Sequence, residues 1–291
     1  MKNLKPILGK LHNQTREVLV GTPDDDTFYP GGGWDIVEGG LGIDTVVIIG
    51  RSSQFKLVFE NGVTYIDALS GASAMTERAQ LINVELVQFL DKTVSLVVND
   101  TFQGQPGTDF IDGGLGTDTV IYSGPSEQYT VNKSGNRYIV SEPTGSDGTD
   151  YLTNIERLKF KDKFIAIDLD GNAGTTAKIL GAVFGKESVS NKSYVGIGLN
   201  FLDTGWTYDN LAGLALDAAG AKTNDQIVSL LWTNVIGTKP TAADKQPFIA
   251  LLENGMTAGA LAHLAADTSL NTVNINLVGL AQTGIEYIPV S

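Results

Sequence analysis

The sequence predicts an α+β protein of several domains, with a mainly β N-terminal half of two tandem modules followed by an all-α C-terminal domain. Three observations predict it. A nine-residue glycine–aspartate frame recurs in two blocks of the first half, and the segments flanking those blocks are duplicated at a near-constant offset. Beyond Gly174 the apolar residues adopt helical spacing.

The frame is clearest in Gly39-Gly40-Leu41-Gly42-Ile43-Asp44-Thr45-Val46-Val47 and Gly113-Gly114-Leu115-Gly116-Thr117-Asp118-Thr119-Val120-Ile121. Both fit G-G-x-G-x-D-x-U-x, with U a large aliphatic residue. Glycines allow a tight turn with positive φ and exposed carbonyls, and the aspartate adds a carboxylate just before a short apolar strand. Such hard oxygen donors suit calcium. Steps of nine backwards from Asp44 reach Asp35, whose unit holds Gly31 and Gly33, and then Asp26, preceded by Asp24. The same steps from Asp118 reach Asp109, in a unit with Gly107 and Asp112, and then Asp100 beside Asn99. These residues are the candidate metal ligands. The outer units depart from the frame, since Asp26 follows Pro23-Asp24-Asp25 and the Asp100 unit opens with Ser95-Leu96-Val97-Val98.

These units resemble the RTX (repeats-in-toxin, hemolysin-type) calcium-binding repeats of proteins exported by bacterial type I secretion. The resemblance implies a right-handed parallel β-roll with a turn and a short strand per unit and two units per coil. Turns two units apart then stack, pairing Asp26 with Asp44 and Asp100 with Asp118, each pair around one Ca2+. Asp35 and Asp109 fall on the opposite side. Their partners are not evident from sequence, and closure by a neighbouring module and a half-site both stay open.

Apolar residues make up 42% of the 291, enough for real cores, and the net charge is −13. That acidity argues against nucleic acid or an anionic membrane surface as partner. The absence of cysteine excludes disulfides and thiolate zinc sites. His12 and His263 are isolated and read as surface or packing residues. Charges and Pro6 interrupt the N-terminal apolar run, so no Sec-type signal is expected, and no apolar stretch is long enough to span a bilayer.

In order, residues 1–17 read as a mobile lead-in, 18–97 as the first roll and hairpin module, and 98–170 as the second. Gly50 to Leu57 matches Gly124 to Val131 at an offset of 74, and Leu81 to Phe89 matches Leu152 to Phe160 at 71, so the first copy carries an insertion, placed in the Ser70 to Ala79 loop. Alternating Phe55, Leu57 and Phe59 lead to Asn61-Gly62, a hairpin turn, and Val63 and Tyr65 return. Tyr129 and Val131, then Tyr138 and Val140, do the same around Ser134-Gly135-Asn136. One closing strand is expected over Leu86 to Leu96 and one over Arg157 to Ile167.

Asp168 to Gly174 lacks the glutamate and glycine positions of an EF-hand and reads as a boundary. The helical domain, 171–273, is expected to hold helices around Ala177 to Phe184, Tyr194 to Leu202, Tyr208 to Ala219, Asp225 to Ile236, Ala242 to Asn254 and Ala258 to Ala266. Gly185, Gly205, Gly220, Gly237 and Gly255 end them, and Thr223 or Asn224, Thr241 and Thr257 start them. Ala177 to Gly185, Leu231 to Gly237 and Leu277 to Tyr287 are similar to a helical domain of uncharacterised function found at the C-terminus of RTX bacterial surface proteins. The tail, 274–291, suits the uncleaved type I secretion signal that the resemblance implies, and also suits a last packed element.

No H-E-x-x-H, G-x-S-x-G or P-loop motif occurs, and no enzyme activity is expected. Of the tryptophans, Trp206 and Trp232 fall in helical patterns, and Trp34, placed on a roll turn, is the candidate for stacking on sugar. The expected function is that of a secreted calcium-binding structural protein of a Gram-negative bacterium. Folding on export, it self-assembles with other copies as a surface layer, filament or biofilm matrix component; the alternative is a calcium-dependent adhesin for cell-surface polysaccharide.

Overall fold

The computed structural model describes residues 6–9, 16–40, 42–60, 63–69 and 76–290. His12, the Asn61-Gly62 turn, most of the lead-in and most of the Ser70 to Ala79 loop lie outside them. The architecture is α+β: short strands in several sheets in the N-terminal region and about eight helices in the C-terminal region. Contacts divide the chain into two compact units, Met1–Asp100 with Ile111–Asp118, and Thr101–Phe110 with Thr119–Ser291.

In the first unit the strands alternate between two sheets. β1 (Ile7–Leu8), β3 (Thr27–Tyr29) and β5 (Thr45–Val47) run parallel in one, and β2 (Val18–Val20) and β4 (Gly33–Glu38) run parallel in the other. Ile7–Leu8, inside the segment read as a mobile lead-in, thus pairs with Phe28 and Tyr29. The strands form because each nonapeptide offers one large apolar residue that turns inward between more exposed neighbours. Phe28, Val37 and Val46, the U positions of three successive units, are all 0% exposed and form one core with Ile48, Ile66 and Val87.

The hairpin follows as expected: β6 (Phe55–Glu60) pairs antiparallel with β7 (Val63–Ala68), and β7 with β8 (Thr76–Ile82), which returns parallel to β4. The expected single closing strand is instead two, β9 (Leu86–Gln88) and β10 (Thr93–Ser95), joined antiparallel. Asp91 breaks it, because its carboxylate accepts from the backbone N–H and the hydroxyl of Ser52.

The second module repeats the plan. β11 (Thr101–Gln103) pairs parallel with β13 (Thr119–Ile121) and β13 with β17 (Arg157–Lys159), while β12 (Phe110–Asp112), β16 (Gly148–Thr153), β15 (Arg137–Glu142) and β14 (Thr130–Ser134) form a second sheet in that order. β18 (Phe164–Ala166) folds back on β17, and Asp162 breaks this run by the same bonds to Ser126.

The helices are α1 (Asn172–Phe184), α2 (Lys192–Asp203), α3 (Tyr208–Ala218), α4 (Asn224–Ile236), α5 (Ala242–Glu253), α6 (Ala258–Ala266), α7 (Ser269–Asn274) and α8 (Leu277–Thr283). Thr207, Thr223, Thr241, Thr257 and Thr268 each accept from a backbone N–H at a helix start, and the five expected glycines all have positive φ. None of the described helices is long and apolar enough to cross a membrane.

Within 274–291 the chain does more than trail. After α8, Gly284 turns with φ +76 and β19 (Ile285–Tyr287) adds antiparallel to β18, burying Ile285 against Ala166 and Ala173. Arg157, 3% exposed, joins this sheet to the helices through Asp168 at 2.5 Å and Asp203 at 2.7 Å. Asp168 therefore serves an ion pair at the boundary segment that lacks the EF-hand positions.

Candidate metal centre

The nonapeptide turns stack at the eighteen-residue register of the parallel strands. Asp26 donates its N–H to Asp44 Oδ1 at 2.8 Å, and Thr45 returns a bond to Asp26 O at 2.9 Å. Ile43 donates to Asp25 Oδ1 in the same stack. Close approach requires the glycines: a Cβ on Gly40, whose φ is +107, would lie 2.4 Å from Thr22 O, and one on Gly42 would strike the Asp24 backbone. Asp24 itself lies at the solvent side, its N–H donating to Thr22 Oγ1.

A third tier follows that sequence reasoning missed. Asp44 donates its N–H to Glu85 Oε2 at 2.7 Å, and Glu85 and Leu86 both donate back to Asp44 O. Gly39 faces this tier, where a Cβ would sit 1.8 Å from Asn83 O and 2.4 Å from Asp44 Oδ2. Asn83 holds φ +49, as Asn154 of the second copy holds +50. The signal was present in the duplicated Asn83-Val84-Glu85 and Asn154-Ile155-Glu156, but forty-one residues rather than eighteen separate Glu85 from Asp44.

The stack gathers negative charge away from water. Asp26, Asp35, Asp44 and Asp118 are all buried. Burial pushes the Asp44 carboxyl up, the Asp26 N–H opposes this, and the nearby carboxylates of Asp26 and Asp25 add to it. Glu85 is raised by burial and by Asp44 in the same way. Among the described residues, Asp44 Oδ2 and Asp35 Oδ2 are buried without a hydrogen-bond partner. A buried carboxylate oxygen left so is costly unless a cation or proton meets it.

On the opposite side Asp35 accepts from the N–H of Glu17 at 3.1 Å, one coil earlier. Gly31 and Gly33 of its unit take positive φ, and Trp34 lies on β4 rather than on a turn, because Gly33 already begins the strand.

In the second block Asp100 donates to Asp118 Oδ1 at 2.6 Å and Thr117 to Asn99 Oδ1 at 2.8 Å. Gly116, with φ +145, passes close to Val98 O, and Gly114, beside Gly113, turns against the Phe59 ring. Asp118 is pushed up to about 6, first by burial and then by the Asp100 and Asp112 carboxylates, against the Asp100 N–H. Asp112 also accepts from the Gly114 N–H.

Asp109 has a partner after all. Its N–H donates to Asp150 Oδ1 at 3.2 Å, Tyr151 donates to Asp109 O, and Thr149 donates to Gly107 O. Gly145-Ser146-Asp147-Gly148-Thr149-Asp150-Tyr151-Leu152-Thr153 follows the nonapeptide frame except for serine at its second place. That signal was legible, but it lies outside the two blocks in register. Tyr122 donates its hydroxyl to the other Asp150 oxygen at 3.0 Å, and Tyr129 donates to Asp147 at 2.6 Å.

The donor set fits calcium in kind: buried carboxylates, backbone carbonyls beside glycines, and no nitrogen or sulfur ligand. Among the described residues no three acidic or histidine side chains converge on one point. The carboxylates are paired instead, so Asp26 with Asp44 in one stack and Asp100 with Asp118 in another would hold an ion, with backbone carbonyls completing its shell. Calcium would supply the positive charge that these carboxylates lack. His263 lies apart, between Asp209 and Asp267 and stacked on Tyr208, as a packing residue of the helical region.

No curated protein matches the chain. The profile of the RTX calcium-binding nonapeptide repeat (4 copies) matches residues 13–46 and 99–121, the two blocks whose turns stack. Repeats of this kind typically bind Ca2+ and are typical of secreted proteins, and the N-terminal region of this chain carries them.

Proposed function

We propose that this chain is a secreted calcium-binding structural protein that folds on export through type I secretion machinery and self-assembles on or between Gram-negative cells, without enzymatic activity. The single observation that carries this reading is the Asp26–Asp44–Glu85 stack, in which carboxylates are held together and burial and neighbouring negative charge raise Asp44 and Glu85. Without a divalent ion that repulsion opposes coil closure in a glycine-rich segment that has little else to order it. Ion binding then contributes folding free energy, so external calcium acts as the folding switch. The C-terminal segment that forms α8 and β19 would be read by the exporter while unfolded and packed afterwards. The helical region is read as the domain that accompanies RTX repeats in surface proteins.

The test is light scattering with circular dichroism while calcium is raised from chelator to the millimolar range. A gain of β-structure followed by large ordered particles supports the reading, and a folded monomer at all calcium concentrations refutes assembly.

One observation favours an adhesin as the second reading. Trp34 is 50% exposed on β4, and Arg78 lies over both its ring and that of Tyr65, 5.1 and 4.3 Å from their centroids. An exposed indole beside a guanidinium suits a polysaccharide. Glycan binding by the monomer, lost in Trp34→Ala, would favour it.

A further inference from the structure

We propose that the free edge of β10 in the first module takes the C-terminal strand β19 of a second copy, linking copies head to tail. This rests on the reading that copies join in calcium, and it names the surfaces that join.

The second module supplies the template. The outer edge of β18 carries β19, with Phe164 opposite Tyr287, Ile165 opposite Glu286 and Ala166 opposite Ile285. Lys163 reaches the Glu286 carboxylate at 3.9 Å, and the Phe164 and Tyr287 rings lie 5.7 Å apart. α8 leads into the strand along β14, and Tyr138 of the neighbouring β15 sets its hydroxyl between Ile167 O at 2.5 Å and Ala281 O at 2.9 Å. One continuous segment thus closes the side of the module between β14 and β18.

Among the described residues the first module shows no such cover. The 71-residue offset sets Lys92-Thr93-Val94-Ser95 against Lys163-Phe164-Ile165-Ala166. Lys92 O and Leu96 N bond toward β9, so by alternation the N–H and C=O groups of Thr93 and Ser95 face the other way. Both residues are exposed, and β10 ends its sheet. Beside it lies an open cavity of about 230 Å³ lined in part by Leu57, Phe59, Val94 and Leu96. Ile285 is buried where it now packs, and this apolar opening offers it similar cover. Lys92 would then meet Glu286 as Lys163 does.

The exchange leaves the number of strand pairings unchanged, since a β19 that leaves its own β18 is paired again on the neighbour's β10. Donor and acceptor surfaces differ, so the contact is heterologous and builds a chain rather than a closed pair. An unpaired strand edge is the usual template for such addition.

The test uses the full chain in calcium and a fluorescent peptide covering residues 283–290. Ser95→Pro removes an outward N–H while leaving the bonds to β9 in place. The expected result is saturable peptide binding to the native chain, weakened at least tenfold in Ser95→Pro together with loss of large particles, while the circular dichroism and its calcium midpoint stay unchanged. Equal peptide binding by both chains, or none by the native chain, overturns the proposal. So does loss of assembly without any peptide binding, which would give the edge another occupant. Should Ser95→Pro fail to fold, Lys92→Glu replaces it: peptide binding falls severalfold and returns with a peptide carrying Glu286→Lys, and no change overturns the proposal. Light scattering of the native chain alone reports on self-assembly, so a native chain that binds peptide but stays monomeric refutes the assembly reading and leaves the edge assignment standing.

Discussion

Asp44 accepts the N–H of Asp26 with one carboxylate oxygen and holds the other buried beside Gly39. Asp44→Ala should therefore abolish the gain from calcium at its stack, a loss of about 2.7 kcal/mol at a free calcium concentration one hundred times the dissociation constant. Denaturant unfolding with and without calcium measures it. The double change with Asp118→Ala should leave the roll unresponsive to calcium by circular dichroism. Asp118, raised to about 6, sets the direction with pH. A carboxyl whose folded pKa exceeds its unfolded value of about 4 binds its proton more tightly when folded, so metal-free stability should rise as pH falls from 7 through about 6 toward 4. Calcium competes with that proton, so its affinity should fall over the same range. Titrations at pH 7 and pH 5, with and without chelator, check both signs, and Asp118→Asn should flatten both. Asp26, Asp44, Asp100 and Asp118 were legible because a fixed nine-residue step connects them. Glu85 was not, because it enters its stack after an intervening hairpin, and Asp150, though its own nonapeptide can be read, meets Asp109 only across the same kind of hairpin and outside the nine-residue register.

At the scale of elements, turn chemistry was more legible than strand ends. Thr241 starts α5 with a reciprocal pair of bonds to Asp244, and Thr241→Ala should cost about 1 kcal/mol, read as a lower melting temperature. Asn83 and Asn154 turn the chain into β9 and β17 in the left-handed region, where an alanine costs roughly 1–2 kcal/mol and glycine is tolerated. Asn83→Ala should accordingly lower the denaturant midpoint, and Asn83→Gly should leave it nearly in place. Six helices were visible because apolar spacing, threonine and glycine agreed there. The closing strands read as single runs because Leu86 to Leu96 and Arg157 to Ile167 are mostly apolar, and the distant serines that Asp91 and Asp162 cap cannot be seen from local pattern. β19 was missed as a strand because three residues carry no period of their own; it exists by adding to β18.

For the molecule as a whole, Arg157 ties the strands of the second unit to its helices. Arg157→Met would leave Asp168 and Asp203 without their cation in a buried setting, at a cost of about 3–5 kcal/mol. Chemical denaturation should then show strand and helix signals separating where the parent loses them together. The eighteen-residue register has a further consequence, for length. Each coil adds one strand to each sheet, so lengthening a roll by two nonapeptides would extend it by a single interstrand spacing of about 4.8 Å while Glu85 and β9 still cap the last turn. Lengthening it by one nonapeptide would exchange the two sides and set the hairpin on the wrong sheet. The chain can therefore act as a ruler with graduations of fixed size, whose reach evolution or design could adjust only in whole coils.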